Sequence, residues 1–512
     1  MRSRLELPML VEGRRDSTRR REGAKMVCQG SPPLPVAPSR DLTLMRPIPQ
    51  IEGPLADGAV LQREAQTPIW GRAAPGRWVE VDFAGQTQRA RAGDDGRWVV
   101  RLAPMPADER PRPLIVRSPE DGWERRFEEL RVGEVWLAAG QSNMELPLRD
   151  SAEPEWRTDP LLRLCRLPVA AADAPARAVA ADWACPPPDF SAVAYHMGAA
   201  LREALRVPVG MICACLGSTG IASWLSPSEI AESPYRQALY DLHAQRVAYH
   251  RWAQEARRTA ADPQSIWLGH DPRLLRPSGL FNGMIAPLQP WALRGIVWYQ
   301  GEADTMAPER YEALFKRLIA SWRRGWGQDD LPFLFVQLSA FDARPPAHRG
   351  DWPALRQAQA RVADTVPRAA MVVSIDAGDK DDIHPRRKKC IGDRLALAAL
   401  AVAYGQPVHW RGPRPLAARR RAAAIEIAFE DHGQGLTTRD GQPPRGFELV
   451  DGGQALPTPA RLDGHAVQLP GGGTASAVRY AWSAWTDANL CDARGLPAAP
   501  FELPVLDATE ET

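Results

Sequence analysis

The chain has almost no net charge: 64 Lys and Arg against 62 Asp and Glu leave a formal +2 over 512 residues. So even a balance supplies no field for a nucleic-acid backbone. No apolar stretch approaches the ~20 residues that cross a bilayer, and mean hydropathy is −0.35. Cysteine is scarce, seven residues at the irregular positions 28, 165, 185, 213, 215, 390 and 491. That spacing is not a disulfide framework, although it leaves the redox compartment open. Cys213 and Cys215 form a C-x-C pair, but the two further clustered ligands of a zinc site are missing. Tryptophan, by contrast, is plentiful, with 18 residues against 8 Tyr and 11 Phe. Indoles fill cores and also stack on sugar faces, which turns the expected ligand class toward carbohydrate.

Length and patterning divide the chain. Residues 1–42 contain the basic run RRDSTRRREGAK and the proline-rich SPPLPVAPSR, neither of which can pack as a core element. They read as a disordered tail without a clear signal peptide. From 43 to 130 apolar residues alternate, as in Val79, Val81, Phe83 and Trp98, Val100, Leu102, which predicts a β domain. From 131 to 405 continuous apolar runs alternate with helical periodicity. The runs are Val135–Ala138, Val209–Cys213, Ile296–Tyr299, Phe333–Val336 and Met371–Ile375, and the helical stretches are 192–206, 309–323, 352–365 and 387–403. Together they predict an α/β domain with a parallel sheet covered on both faces. The roughly 80 residues between the second and third runs are too many for one crossover, and 227–280 reads as a mainly helical insertion. Alternation returns from 406 to 512, a second flanking β domain.

Ligands of an open parallel sheet gather beyond the carboxyl ends of its strands. Val135–Ala138 runs into GQSNM (140–144), which puts Ser142 at such an end, although the G-x-S-x-G elbow is absent. A serine nucleophile needs a base. His384 follows the last apolar run in DAGDKDDIHP, with Asp381 and Asp382 as candidate acids to orient its ring. The same Asp379, Asp381, Asp382, His384 cluster could instead bind a cation. GSTGIASW (217–224) and WYQGEAD (298–304) follow the second and third runs. Gly217 is the candidate second oxyanion donor beside the Ser142 N–H, and Gln300 can donate through its side-chain amide. Glu302 and Asp304 can orient neighbours or bind sugar hydroxyls.

The four strand-end motifs resemble the sialate O-acetylesterase family of the SGNH hydrolases. The resemblance rests on GEVWLAAGQSNMELPL (133–148), PVGMICACLGSTGIASW (208–224), FNGMIAPLQPWALRGIVWYQGEAD (281–304), LRQAQ (355–359) and DIHPRRKKCIGDRLALAAL (382–400), and it spans about 45–505. It implies Ser142 as nucleophile, His384 as base, and oxyanion donors at Ser142, Gly217 and Gln300. It also implies a flavodoxin-like SGNH domain flanked by β-sandwich-like domains. The expected substrate contacts are Gln141, Asn143, Met144, Trp224, Glu302 and Asp304. Three positions depart from the family pattern: Ser218 stands for a glycine, Ala222 for a glutamate, and Asp304 for a common asparagine.

The activity this implies is release of acetate from acetylated oligosaccharide or polysaccharide, without metal or other cofactor. A neutral, plant-type sugar is the expected substrate because Ser218 and Ala222 make the second motif smaller and less acidic. A sialate ester is the alternative within the same chemistry. From other classes stand an inactive carbohydrate-binding protein and a glycosidase pairing Glu302 with Asp304 or Glu134. No nucleic-acid or membrane partner is expected. The family implies a periplasmic or extracellular location, and a cytoplasmic one is equally compatible.

Overall fold

A computed structural model describes residues 49–507 apart from 261, 263, 265–267, 343–349, 423, 431–434 and 472. The expected tail at 1–42 lies outside the described residues, as does Trp267 of the insertion. Six parallel strands carry the architecture: β1 (Trp123–Gly140), β2 (Leu162–Arg166), β3 (Val209–Cys215), β4 (Gly295–Tyr299), β5 (Phe333–Val336) and β6 (Ala369–Val372). Their order across the sheet is β6–β5–β4–β1–β3–β2. Register is set at β1, where Leu137 pairs with Ile212 on one side and Ile296 on the other.

Both faces of this sheet are covered, which is why its central strands read as unbroken apolar runs. Trp136 and Ala138 face helices α1 (Ala192–Leu205) and, later in the chain, α5 (Lys389–Val402). Val135, Leu137 and Ala139 face the opposite layer, whose helices are α3 (Tyr311–Trp326) and α4 (Trp352–Thr365). Local chemistry starts these helices where sequence placed them: Ser191 Oγ accepts the Ala194 N–H (3.1 Å), and Asp351 Oδ1 accepts the Ala354 N–H (2.9 Å). The insertion is helical, with a short helix at Pro227–Ala231 and the 24-residue α2 (Arg236–Thr259).

Two expectations need correction, and one strand has no counterpart among the expected runs. The change of pattern at 131 is not a break in the chain, because β1 runs through it for 18 residues. Its first half pairs antiparallel with Asp108–Ser118 and its second half parallel with β3 and β4. The N-terminal strands therefore share one apolar core with the α/β layers, sealed by contacts such as Trp70 against Trp291. β2 went unpredicted, because Arg163 interrupts its apolar run. The last strand ends at Val372 rather than at Ile375, which opens a short helical turn to Ala377. The C-terminal region forms an eight-stranded, mostly antiparallel sheet between Pro415 and Leu506.

Arg356 of α4 ties this sheet to the α/β layers. Its guanidinium is wholly buried and donates to the carbonyls of Leu338 (2.9 Å), Ser339 (2.8 Å), Ser483 (2.7 Å) and Ala484 (2.9 Å). Burial pushes it down to about 9 from the usual arginine value. Arg356→Met should lower unfolding stability by on the order of 3 kcal/mol, because two buried and two partly buried carbonyls lose their donor. Denaturant unfolding measures this, and a loss under about 1 kcal/mol would remove Arg356 as the tie.

Candidate active site

At the carboxyl end of β1 the chain passes close against β4. Gly140 has φ 143°, and a Cβ there would lie 2.2 Å from the Tyr299 carbonyl oxygen, so only glycine fits. The Gln141 N–H then donates to that same oxygen (3.0 Å), and a short helix, Ser142–Glu145, begins. Ser142 is the half-buried first residue of this helix. Its N–H has no partner among the described residues, as is usual for a first-turn amide.

The DIHP loop meets this turn directly. Asn143 Nδ2 donates to the Ile383 carbonyl (3.0 Å), so the immediate neighbours of Ser142 and His384 are hydrogen-bonded to each other. The His384 N–H donates to Asp382 Oδ1 (2.8 Å), and its ring Nδ1 lies 3.7 Å from the same oxygen. Asp382 is therefore the acid beside the imidazole. Asp381 is exposed, and its N–H caps Asp379 Oδ1 (2.9 Å), as does the Asp382 N–H (3.2 Å). Among the described residues no group of three or more His, Cys, Asp or Glu side chains could hold a metal ion. The alternative use of this loop as a cation site thus has no geometry behind it.

Gly217 stands against Ser142. A Cβ on Gly217 would lie 3.3 Å from Ser142 Cβ, 3.3 Å from Glu145 Oε2 and 3.6 Å from His270 Nε2. Its N–H, the expected oxyanion donor, points into this space but is taken: it donates to Glu145 Oε2 (2.7 Å). Ser218 next to it has φ 58°, the left-handed region where glycine costs least, which explains the glycine of the family pattern.

Gln300 is not an oxyanion donor in this structure. Its amide is fully buried; Nε2 donates to the Thr219 carbonyl (3.0 Å) and Asp304 Oδ2 (2.6 Å), and Oε1 accepts the Tyr311 hydroxyl (3.0 Å). Both N–H groups are consumed. Asp304 Oδ2 also accepts the Ile221 N–H (2.8 Å), so Gln300 and Asp304 shape the Gly217–Trp224 loop from beneath. Burial raises the Asp304 carboxyl above the usual range, opposed by the amide and N–H bonds and by Arg246 of α2.

A carbohydrate acetylesterase from Xanthomonas citri is 32% identical over 89% of this chain and 99% of that one, with a TM-score of 0.76. The chain belongs to the sialate O-acetylesterase group of SGNH-like carbohydrate esterases. It is a carboxylic ester hydrolase of the carbohydrate O-acetylesterase type. A model of the carbohydrate esterase, sialic acid-specific acetylesterase family matches residues 275–401. The sialate O-acetylesterases of Mus musculus and Homo sapiens are 28% and 27% identical, each over 86% of this chain, covering 92% and 90% of their own lengths.

In this esterase the other expected substrate contacts lie behind the site. Gln141 is buried, its Oε1 facing the N–H groups of Gly301 (3.4 Å) and Ala303 (3.3 Å). Met144 is buried in the core beside α1. Trp224 is fully buried, edge-on to Trp298, with Nε1 on Thr219 Oγ1 (3.0 Å), so it offers no face to a sugar. Asn143 is buried and saturated, and Glu302 Oε1 accepts its amide (2.6 Å). Glu302 and Asp304 thus hold amides, not a glycosidic bond, and Glu134 is clamped by Arg294 and Arg63 inside the first half of the parallel sheet. The glycosidase reading fails on all three. Sequence reasoning missed His270, which the insertion brings beside Gly217, and Glu145. Neither carries a spacing signal, since His270 follows a long helix and Glu145 follows Ser142 by three residues as any helical acid would.

Gly217→Ala should crowd Ser142 Cβ and the Glu145 carboxylate without disturbing the core. Esterase kcat should fall at least tenfold with the thermal midpoint within about 3 °C of wild type. Wild-type kinetics in that variant would remove Gly217 from the site.

Proposed function

We propose that this enzyme removes O-acetyl groups from a sialate-type sugar, with Ser142 as nucleophile, His384 as general base and Asp382 orienting the imidazole. The observation that carries the catalytic part is the Asn143–Ile383 hydrogen bond, which joins the serine turn to the histidine loop. Ser142 Oγ attacks the acetyl carbonyl carbon as His384 takes its proton. Collapse expels the sugar alkoxide, which takes that proton back from the imidazolium. Water, deprotonated by His384, then releases acetate from the acyl-serine. The strand order β3–β1–β4–β5–β6, with β2 added outside, matches the 2-1-3-4-5 flavodoxin-like order and supports the SGNH reading.

The oxyanion forms against the Ser142 N–H. The Gly217 N–H joins it only after the Glu145 carboxylate leaves, because both anions cannot accept the same donor. The sialate reading takes the place of the neutral plant-type sugar. It is supported by curated relatives named sialate O-acetylesterase along most of the chain, and burial of Trp224 withdraws an aromatic platform from the neutral-sugar argument. The proposed surroundings are the periplasm or cell exterior, where such glycans occur.

Ser142→Ala should abolish acetate release, and Asp382→Asn should lower kcat far more than Asp381→Asn. Full activity in Ser142→Ala sinks the mechanism. kcat/KM should favour 9-O-acetyl sialic acid over acetylated xylo-oligosaccharides by about tenfold, equal to about 1.4 kcal/mol; the reverse preference would restore the neutral sugar. Glu145→Ala, which frees the Gly217 N–H, should raise kcat/KM for a small aryl acetate by about fivefold, or about 1 kcal/mol. A decrease would mean that Glu145 holds the donor in place instead of covering it.

A further inference from the structure

We infer that Lys388, Asn143 and Glu302 form a buried positioning bridge that keeps the Ser142 turn in register with the His384 loop, retained for catalysis at a cost in stability. The inference rests on the reading of Ser142 and His384 as nucleophile and base.

Each of three sheet-edge segments supplies one member. Asn143 comes from the serine turn, Glu302 from the segment after β4, and Lys388 from the residue that precedes α5. Asn143 is the hub. Its Nδ2 donates to Glu302 Oε1 (2.6 Å) and to the Ile383 carbonyl (3.0 Å), and its Oδ1 accepts Lys388 Nζ (2.6 Å). One acceptor and two N–H groups are thereby engaged, and all three residues are buried. A displacement of Asn143 must move Ser142 next to it, and a displacement of Ile383 must move His384. Reaction between serine and imidazole depends on shifts well under 1 Å.

The bridge is expensive to bury. Lys388 is fully buried, its ammonium 5.4 Å from the centre of the Tyr299 ring. Charged and titratable groups face it from both sides: Glu302 and Tyr299 from β4 and its following turn, Asp382 and Cys390 from its own loop and helix. Burial pushes the ammonium down to about 7, with Glu302 opposing. Burial raises the Glu302 carboxyl, and its Oε2 has no hydrogen-bond partner among the described residues. Apolar side chains of the same volume would fasten these segments at least as well, because buried charges rarely repay their desolvation. What apolar groups cannot do is fix the rotation of an amide, and the amide sets the spacing between the two catalytic segments.

The test is the double variant Lys388→Met with Glu302→Gln, which keeps shape and removes both charges. It is measured beside Lys388→Met alone and Ser142→Ala, with thermal unfolding and with steady-state kinetics on an aryl acetate. The double variant should melt at or above the wild-type temperature, keep KM within about twofold, and lose at least tenfold in kcat. Lys388→Met alone leaves Glu302 as an uncompensated buried acid and should lose both stability and kcat; should it fail to fold, the double variant carries the test. A double variant with kcat within twofold of wild type, or one whose lower kcat comes with a melting point lowered by more than about 5 °C, overturns the bridge as a positioning device. Full activity in Ser142→Ala would instead overturn the nucleophile assignment, so the two failures are separable.

Discussion

Everything at the catalytic edge depends on how closely β1 and β4 pass at Gly140. The Tyr299 carbonyl lies where a side chain would be, and it then receives the Gln141 N–H (3.0 Å). That single contact ends β1, bends the chain and starts the helix that presents Ser142. β1 is also the strand about which the parallel sheet is ordered, and its first half belongs to the N-terminal antiparallel strands. The serine is therefore mounted at the end of a strand that is paired on both sides. Strain or slip elsewhere in the sheet reaches it only through backbone held on both sides.

Sequence made the sheet legible because its central strands are buried on both faces, so an apolar run had one meaning. β2 escaped because Arg163 sits within it and breaks the run. The break at 131 was misread for a related reason. β1 changes from one covered face to two along its length, so the pattern of apolar residues changes while the strand continues. Periodicity reports which faces are covered, and a domain boundary follows from it only when the chain also leaves the sheet.

At the site, sequence identified which segments meet but not which atoms face the substrate. Ser142, Gly217 and His384 come to one edge as the motifs suggested. Gln300 was expected to aim its amide at the oxyanion because glutamine can donate, yet that amide is spent on Thr219 and Asp304. Trp224 stands among the expected substrate contacts, yet it is fully buried against Trp298. The choice between Asp381 and Asp382 was open because residues one apart on a loop point in different directions. Only coordinates show that Asp382 Oδ1 holds the His384 N–H. Side-chain direction at a turn follows from tertiary contacts, which spacing does not encode.

The polar residues at the sheet edge divide into two layers with different physics. Ser142 and His384 are partly open. Beneath them Asn143, Gln300, Glu302, Asp304 and Lys388 are packed and hydrogen-bonded to one another or to backbone. Desolvation weakens a charge's stability but strengthens every bond it makes, since no water competes. A layer of this kind is poorly suited to bind a sugar, whose hydroxyls need free donors and acceptors. It is well suited to hold two reactive side chains at a fixed separation. The insertion brings other polar groups beside this edge: His270 beside Gly217, and Arg246 of α2 beside Gly220. The strand ends can stay constant in sequence while the insertion varies, and a motif that identifies the reaction need not identify the sugar.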